Sequence, residues 1–451
     1  ALDSAAVTDL LDHAGVVDAE SVGEAVRERT GGNPFFIGEL LQSVDDAGRL
    51  DPALLPRTLR SWIEQRIAAL AQPQRQLVEA AAVLGEQLDL GVLAALTEAP
   101  PADVVLRTSE LLDAGLLVER TDGQLAFAHA LTREAVYDGL GATQRRYLHR
   151  LAADALAAGA RQGSGDGVSL IAAHLPAAGP GAEEDAIAAM FRAGAAALAT
   201  TAWVSADDWF NEILARRSDL TVDRVRALIG AGVALRACGR REEARTRLSE
   251  ALAGARSLAE PRLVAEATLA LVGGGARGVS DTMPDVQRAS LLRDAIDGLS
   301  EADDDLSIPL QLELALALLL TEHIDERDEL ALDALRRARA LGRDDLLANA
   351  LLGSRVAHHG PEHVEARLAE IDEILALPAG ARPFAVTIGA LVARHEDSLL
   401  QGDRAAASAA LIEASKLADD VDHPYWRWVV ATWRVLDQII EVQHGRTLFR
   451  V

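Results

Sequence analysis

The chain has 451 residues, a formal net charge of −25 and 49% hydrophobic residues, while only 4% are aromatic. Such acidity repels phosphate backbones and anionic lipid, which argues against nucleic acid and membrane surfaces as direct partners. A single cysteine, Cys238, excludes an internal disulfide and fits a reducing cytoplasm, and no apolar run reaches the ~18 residues of a membrane span.

The apolar content is mostly Ala and Leu, interleaved with Glu and Arg and with few β-branched runs. These residues lose little rotamer freedom in helices, so an all-α-dominated fold is expected. Residues 4–29 carry a helical pattern through Val7, Leu10, Leu11, Val22, Ala25 and Val26. A turn, Gly31-Gly32-Asn33-Pro34, follows, and Pro34 suits the first turn of the next helix, where its missing N–H is harmless. Phe35, Phe36, Leu40 and Leu41 give that helix its apolar face. Residues 1–50 therefore read as a small helical bundle.

Helices are predicted at 57–71, 73–84, 89–97 and 102–114. Leu116, Val118, Leu125 and Phe127 then flank Thr121-Asp122-Gly123, and Asp-Gly is a strong hairpin signal. Short helices closed by one hairpin describe a winged-helix domain, placed with its connecting helices at 51–160. RQGSGDG at 161–167 reads as a Gly-rich break. From 168 to 451 helix follows helix. Leu228, Gly232, Leu235, Ala244, Leu248 and Ala251 fall at tetratricopeptide spacing, with Gly239 at the inter-helix turn. Weaker copies lie at Gly194, Ala197, Ala206, Phe210 and Ile213, and at Leu391, Gly402, Ala407, Leu411 and Ala414. Such repeats bury their apolar faces only by stacking, so this region reads as an α-solenoid, with loops at 273–278 and 301–307.

RTGGNPFF, LPRTLRSWIEQRIAAL, AAAVLG, LLDAGLLVERTDGQLAFAHALTREAVYDGL and RRYLHRLAADAL occur in this order. Together they resemble the region that follows the nucleotide-binding core in bacterial signal-transduction ATPases with numerous domains (STAND). The likeness is greatest to large LuxR-type transcription regulators and to ATPase–tetratricopeptide arms attached to adenylate cyclases. WRWVVATWRVL at 426–436 is similar to a late repeat of those arms. The resemblance implies a helical lid (1–50), a winged helix (51–160) and a sensor solenoid (168–451). It also implies a P-loop core before them and an output domain, neither of them in this sequence. The chain opens without Met and stops after VQHGRTLFRV, so a piece of a longer polypeptide is expected. By the same resemblance Gly31, Gly32, Asn33 and Pro34 would lie against the adenine and ribose of ATP or ADP in the intact protein. His129, in FAHALTREAVY, would reach the ADP phosphates and hold the resting form. The alternative for the turn is plain helix-start packing, and for His129 a bond to local backbone.

No G-x-x-x-x-G-K-[ST] loop exists: the one lysine, Lys416, follows Ala414-Ser415 in a helical run. This segment is therefore expected neither to hydrolyse nucleotide nor to hold a cofactor by itself. The helix PADVVLRTSELLDAG offers DNA a single base, Arg107, against Asp103, Glu110 and Asp113, so a lever role is preferred to DNA reading. His358, His359 and His363 lie near Glu362, but Gly360-Pro361 breaks the helical spacing a zinc site would need; a solvated turn is the better reading. No nucleophile elbow is present, and Cys238 has no His partner in sequence. Tyr425, Trp426, Trp428 and Trp433 form an aromatic concentration, either core or the wall of a groove. The functional reading is a cytoplasmic regulatory segment. It binds a small-molecule inducer or protein partner, self-associates when open, and relays its state to the missing core. The alternative is a tetratricopeptide scaffold without nucleotide control.

Overall fold

The computed structural model describes residues 2–448 apart from 31, 33, 42, 43, 45–47, 49–58, 87, 122, 161–166, 274–284, 301 and 422. Inside helices it leaves out the side chains of 28–30, 35, 36, 39, 59–62, 159, 160, 285 and 440–448. The chain divides into two compact units, Ala1–Ala189 and Met190–Val451. The fold is helical throughout, with one two-stranded sheet among the described residues. No described helix is long and apolar enough to cross a membrane.

Unit 1 opens with α1 (Ser4–His13), α2 (Ala19–Thr30) and α3 (Pro34–Leu41). Asp3 caps α1 by accepting from the Ala6 amide at 2.9 Å, satisfying one of the donors a helix start leaves over. Val7, Leu11, Val22, Val26, Ile37 and Leu40 make the shared core, as the helical pattern predicts.

The next elements are α4 (Leu59–Ala69), α5 (Gln72–Leu84), α6 (Leu90–Thr97), α7 (Pro101–Asp113), β1 (Leu117–Glu119), β2 (Leu125–Phe127), α8 (Ala130–Gly139), α9 (Ala142–Ala160) and α10 (Gly167–His174). Each of the four predicted helices and the hairpin is present within two residues of its predicted ends. β1 and β2 pair antiparallel with Val118 opposite Ala126, and Gly123 takes φ +79° in the turn between them. Leu77, Leu93, Leu111, Leu117 and Val136 bind helices and hairpin into one core.

A buried polar relay ties α8, α9 and α10. Tyr137 Oη lies 2.9 Å from His149 Nε2, and His149 Nδ1 lies 3.0 Å from His174 Nδ1. Burial, with His174 and Arg145 adding repulsion, lowers the His149 pKa from 6.5 to about 4, and burial lowers that of His174 too. His149 stays neutral in the native state down to about pH 4 but charges near pH 6.5 once unfolded, and the His174 shift has the same sign. The His149 contribution is thus complete above about pH 6.5 and is lost as pH falls from there toward 4. In calorimetry of the full chain, the transition carrying unit 1 is expected to fall on the order of 5 °C more between pH 7.5 and 4.5 than it does in His149→Gln. Equal slopes would remove the histidines from the account.

Unit 2 runs on from α11 (Glu183–Ala199), inside which the division falls, through α12 (Trp203–Arg216), α13 (Val222–Ala237), α14 (Arg241–Leu258), α15 (Pro261–Val272), α16 (Asp285–Asp297), α17 (Asp304–Ala317) and α18 (Ile324–Leu341). It continues with α19 (Asp344–Ser354), α20 (Val364–Ala376), α21 (Phe384–Gln401), α22 (Arg404–Asp420) and α23 (Pro424–Leu448). Neighbours in sequence pack as antiparallel pairs, and α13, α15, α17, α19 and α21 also pack on one another, giving a tetratricopeptide-like solenoid. Small residues set the spacing. A Cβ on Gly232 would stand 2.5 Å from Leu248 Cγ, and one on Gly353 2.5 Å from Leu312 Cδ2. Gly239, Gly342 and Gly402 all take positive φ just beyond helix ends, the conformation a non-glycine residue resists.

One predicted loop is partly helix. EADDDLS at 301–307 enters α17 at Asp304. Asp304 and Asp305 stand in the first turn, where the helix dipole favours carboxylates. Asp303 accepts from the Ser300 amide at 2.9 Å, and Arg262 clasps both Asp303 and Asp305. Apart from Gly273, the loop predicted at 273–278 lies outside the described residues.

Candidate functional site

The residues singled out for nucleotide fall in two places. Gly31 and Asn33 lie outside the described residues. Gly32 sits in the α2–α3 turn with φ +67°, and Pro34, exposed, is the first residue of α3. What Gly32 approaches is the chain's own backbone: a Cβ there would stand 2.2 Å from the Leu2 carbonyl oxygen, and the Leu2 amide donates to the Gly32 carbonyl. Gly32→Ala is therefore expected to cost about 1–3 kcal/mol by strain and clash, measurable as a shift of the urea midpoint. No shift would mean that another conformation serves the turn equally well. His129 is the half-buried N-cap of α8, two residues past the end of β2. Its side chain makes no capping bond, while its carbonyl accepts from the Thr132 amide at 3.0 Å.

A hollow lies in unit 2. It holds about 860 Å³ and is lined by every second helix, α13, α15, α17, α19, α21 and α23, so it is the inner face of the solenoid. Its volume and mostly apolar wall fall in the range of ligand pockets. The start of α23 closes the ring against α12–α14. The His423 and Trp203 rings stand 6.0 Å apart, the Arg241 guanidinium lies 5.8 Å over the Tyr425 ring, and Pro424 faces Gly239.

The aromatic concentration divides between core and wall. Trp426, 5% exposed, packs with Ile388, Leu391 and Leu411. Trp428 is 55% exposed although it lines the hollow, and Tyr425 packs against both at centroid distances of 5.4 and 6.0 Å. Trp433 lies edge-on to His395, whose fully buried ring places Nδ1 3.0 Å from the Ala407 carbonyl.

Sequence reading passed over the polar residues of this wall. Arg355 reaches from α19 to Asp397 on α21, and Arg367 of α20 grips the same carboxylate at 2.6 and 2.9 Å. Arg367 also donates to the carbonyls of His358 and Gly360, so the histidine stretch serves the internal frame. His358 Nδ1 lies 3.3 Å from Glu370, whose carboxyl burial pushes up while His358 opposes the shift. His358 and His363 rings stand 5.5 Å apart, and among the described residues no three His, Cys, Asp or Glu side chains are placed to share a metal ion. Alternating helix faces could have found Arg355 only once the inward row was known. Cys238 is the C-cap of α13; burial raises its thiol, which leaves it a poor nucleophile.

No protein-family model matches the chain. It is 32% identical over 139 residues to an uncharacterized protein of Rhizobium meliloti; the match takes in 28% of this chain and spans 13% of that protein's length. Its fold is similar to a STAND protein with a tetratricopeptide repeat sensor from Pyrococcus horikoshii, at 11% identity and TM-score 0.38, covering 96% of this chain and 69% of the other. It is also similar to a Rap protein complexed with competence and sporulation factor, at 14% identity and TM-score 0.43, covering 89% and 99% of the two chains.

Proposed function

We propose that the chain is the regulatory segment of a cytoplasmic signal-transduction ATPase of the transcription-regulator type. The inner face of unit 2 takes an inducer or protein partner. The helices and hairpin of unit 1, read as lid and winged helix, relay that state to a nucleotide-binding core outside this sequence. The observation that supports this reading best is the aromatic-walled hollow of unit 2, in a chain without a P-loop lysine. ADP would favour the closed form, and ATP with inducer an open, self-associating one, each acting through its differential affinity for the two states. In that setting Gly31, Gly32, Asn33, Pro34 and His129 complete a half-site for the nucleotide.

The test is nucleotide binding by the chain alone and with its ATPase core supplied. The expected result is no turnover alone, and with the core an ADP affinity that drops at least tenfold in His129→Ala. Turnover by the chain alone would overturn the reading. So would an ADP affinity that does not respond to His129; that result would leave a protein-binding scaffold without nucleotide control.

A further inference from the structure

We infer that the hollow of unit 2 takes an uncharged, apolar or aromatic small molecule, neither an anion nor an extended peptide; this rests on the sensor reading and narrows it. Arg355, Glu266 and Glu313 of the wall are paired with opposite charges within the chain, and Arg236 is tied to a backbone carbonyl. Arg355 is bound to Asp397 and stands 3.9 Å from Glu396. Arg236 donates to the Ala270 carbonyl at 2.6 Å. Glu313 is paired with Arg288, and Glu266 lies 3.4 Å from Arg226. An ionic ligand at Arg355, Glu313 or Glu266 would have to break an ion pair and leave its partner uncompensated, and at Arg236 it would have to compete with the Ala270 carbonyl.

What the wall still offers is uncharged. Asn349 donates through Nδ2 to the Asp345 carbonyl at 2.9 Å, and its Oδ1 has no partner among the described residues. The Thr432 hydroxyl is held by the Trp428 carbonyl at 2.9 Å. The remaining surface is mostly leucine, valine, alanine and glycine with the rings of Tyr425, Trp426, Trp428 and Trp433. An extended peptide brings a donor and an acceptor per residue, and each one buried without a partner costs about 2–7 kcal/mol. A flat apolar body with at most one donor for Asn349 leaves nothing unpaired and stacks on the exposed indole of Trp428.

The experiment uses the full chain and two probes of matched shape: N-phenyl-1-naphthylamine, neutral with one N–H, and 8-anilinonaphthalene-1-sulfonate, which adds a fixed negative charge. Binding is read as energy transfer from tryptophan, three of whose side chains line the hollow. The neutral probe is expected to bind saturably with one site per chain, at least tenfold more tightly than the anionic one. Ala385→Trp, which fills the hollow from an exposed wall position, should weaken it tenfold or more, and Trp428→Ala should lower the transfer, with circular dichroism unchanged in both. Equal or tighter binding of the sulfonate, lost in Arg355→Gln, would overturn the inference in favour of an anion site. Neutral-probe binding indifferent to Ala385→Trp, or absent, would overturn it as well. The outcomes separate from the sensor reading. A probe that binds as expected yet leaves hydrogen exchange in α8 and α9 unchanged, with the ATPase core present, sinks the relay and spares the ligand class. A peptide that binds the hollow and does move α8 and α9 does the reverse.

Discussion

Asp397→Asn is expected to destabilise unit 2 by about 3–5 kcal/mol, the cost of leaving buried cations without their counter-charge. Asp397 is 1% exposed and Arg367 4%. One carboxylate oxygen accepts from Nε and Nη2 of Arg367, the other from Arg355, so three helices, α19, α20 and α21, meet at a single negative charge. The same Arg367 holds the carbonyls of the turn between α19 and α20. Asn could accept one of these bonds, but its amide would present N–H to a guanidinium. The thermal midpoint of the unit 2 transition should fall by roughly 10 °C. Arg367→Met added to Asp397→Asn should recover part of the loss, because the orphaned cation goes with it; the coupling between contacting residues is then favourable and measurable. A loss below about 1 kcal/mol for the single change would show that water reaches and screens the cluster. The substitution also bears on the hollow. Freed from Asp397, Arg355 would offer its charge to a ligand, so the sulfonate probe should gain affinity relative to the neutral one.

The repeat positions were legible because they obey packing geometry. Gly232 with Leu248, Gly194 with Phe210, and Leu391 with Leu411 and Ala414 fall at the spacing where one helix must admit another, and each is buried. The hairpin was legible through one dipeptide, and the aromatic concentration was visible, but not its division between core and wall. Arg355, Asn349 and Asp397 were not, because a polar residue in an amphipathic helix reads the same whether it faces water, a partner on another helix or the hollow. The stretch singled out for nucleotide marks a different limit. The glycines in RTGGNPFF announce a close approach without naming the partner. At Gly32 that partner is the Leu2 backbone. The acidic stretch at 301–307 misled because carboxylates suit a loop and a helix start equally; Arg262, some forty residues earlier, settles the choice.

Phe210→Ala is expected to cost unit 2 about 3–5 kcal/mol, the loss of a buried aromatic ring plus the cavity it leaves. The ring, 4% exposed, lies between two glycines of neighbouring helices. A Cβ on Gly194 would stand 2.7 Å from its Cζ, and one on Gly230 2.5 Å. Phe191 packs on it at 6.3 Å between centroids. The glycines are thus the mould and Phe210 the casting, which predicts a sign for their coupling. Gly230→Val alone should destabilise by about 1–3 kcal/mol, because the ring has nowhere to retreat. Combined with Phe210→Ala it should cost less than the sum, since the valine then partly fills the vacated space. Denaturant unfolding of the two single variants and the double variant decides the matter. Simple additivity would mean that the backbones of α11 and α13 move apart to take the new side chain, and that this spacing in the first repeat is set by something other than Phe210.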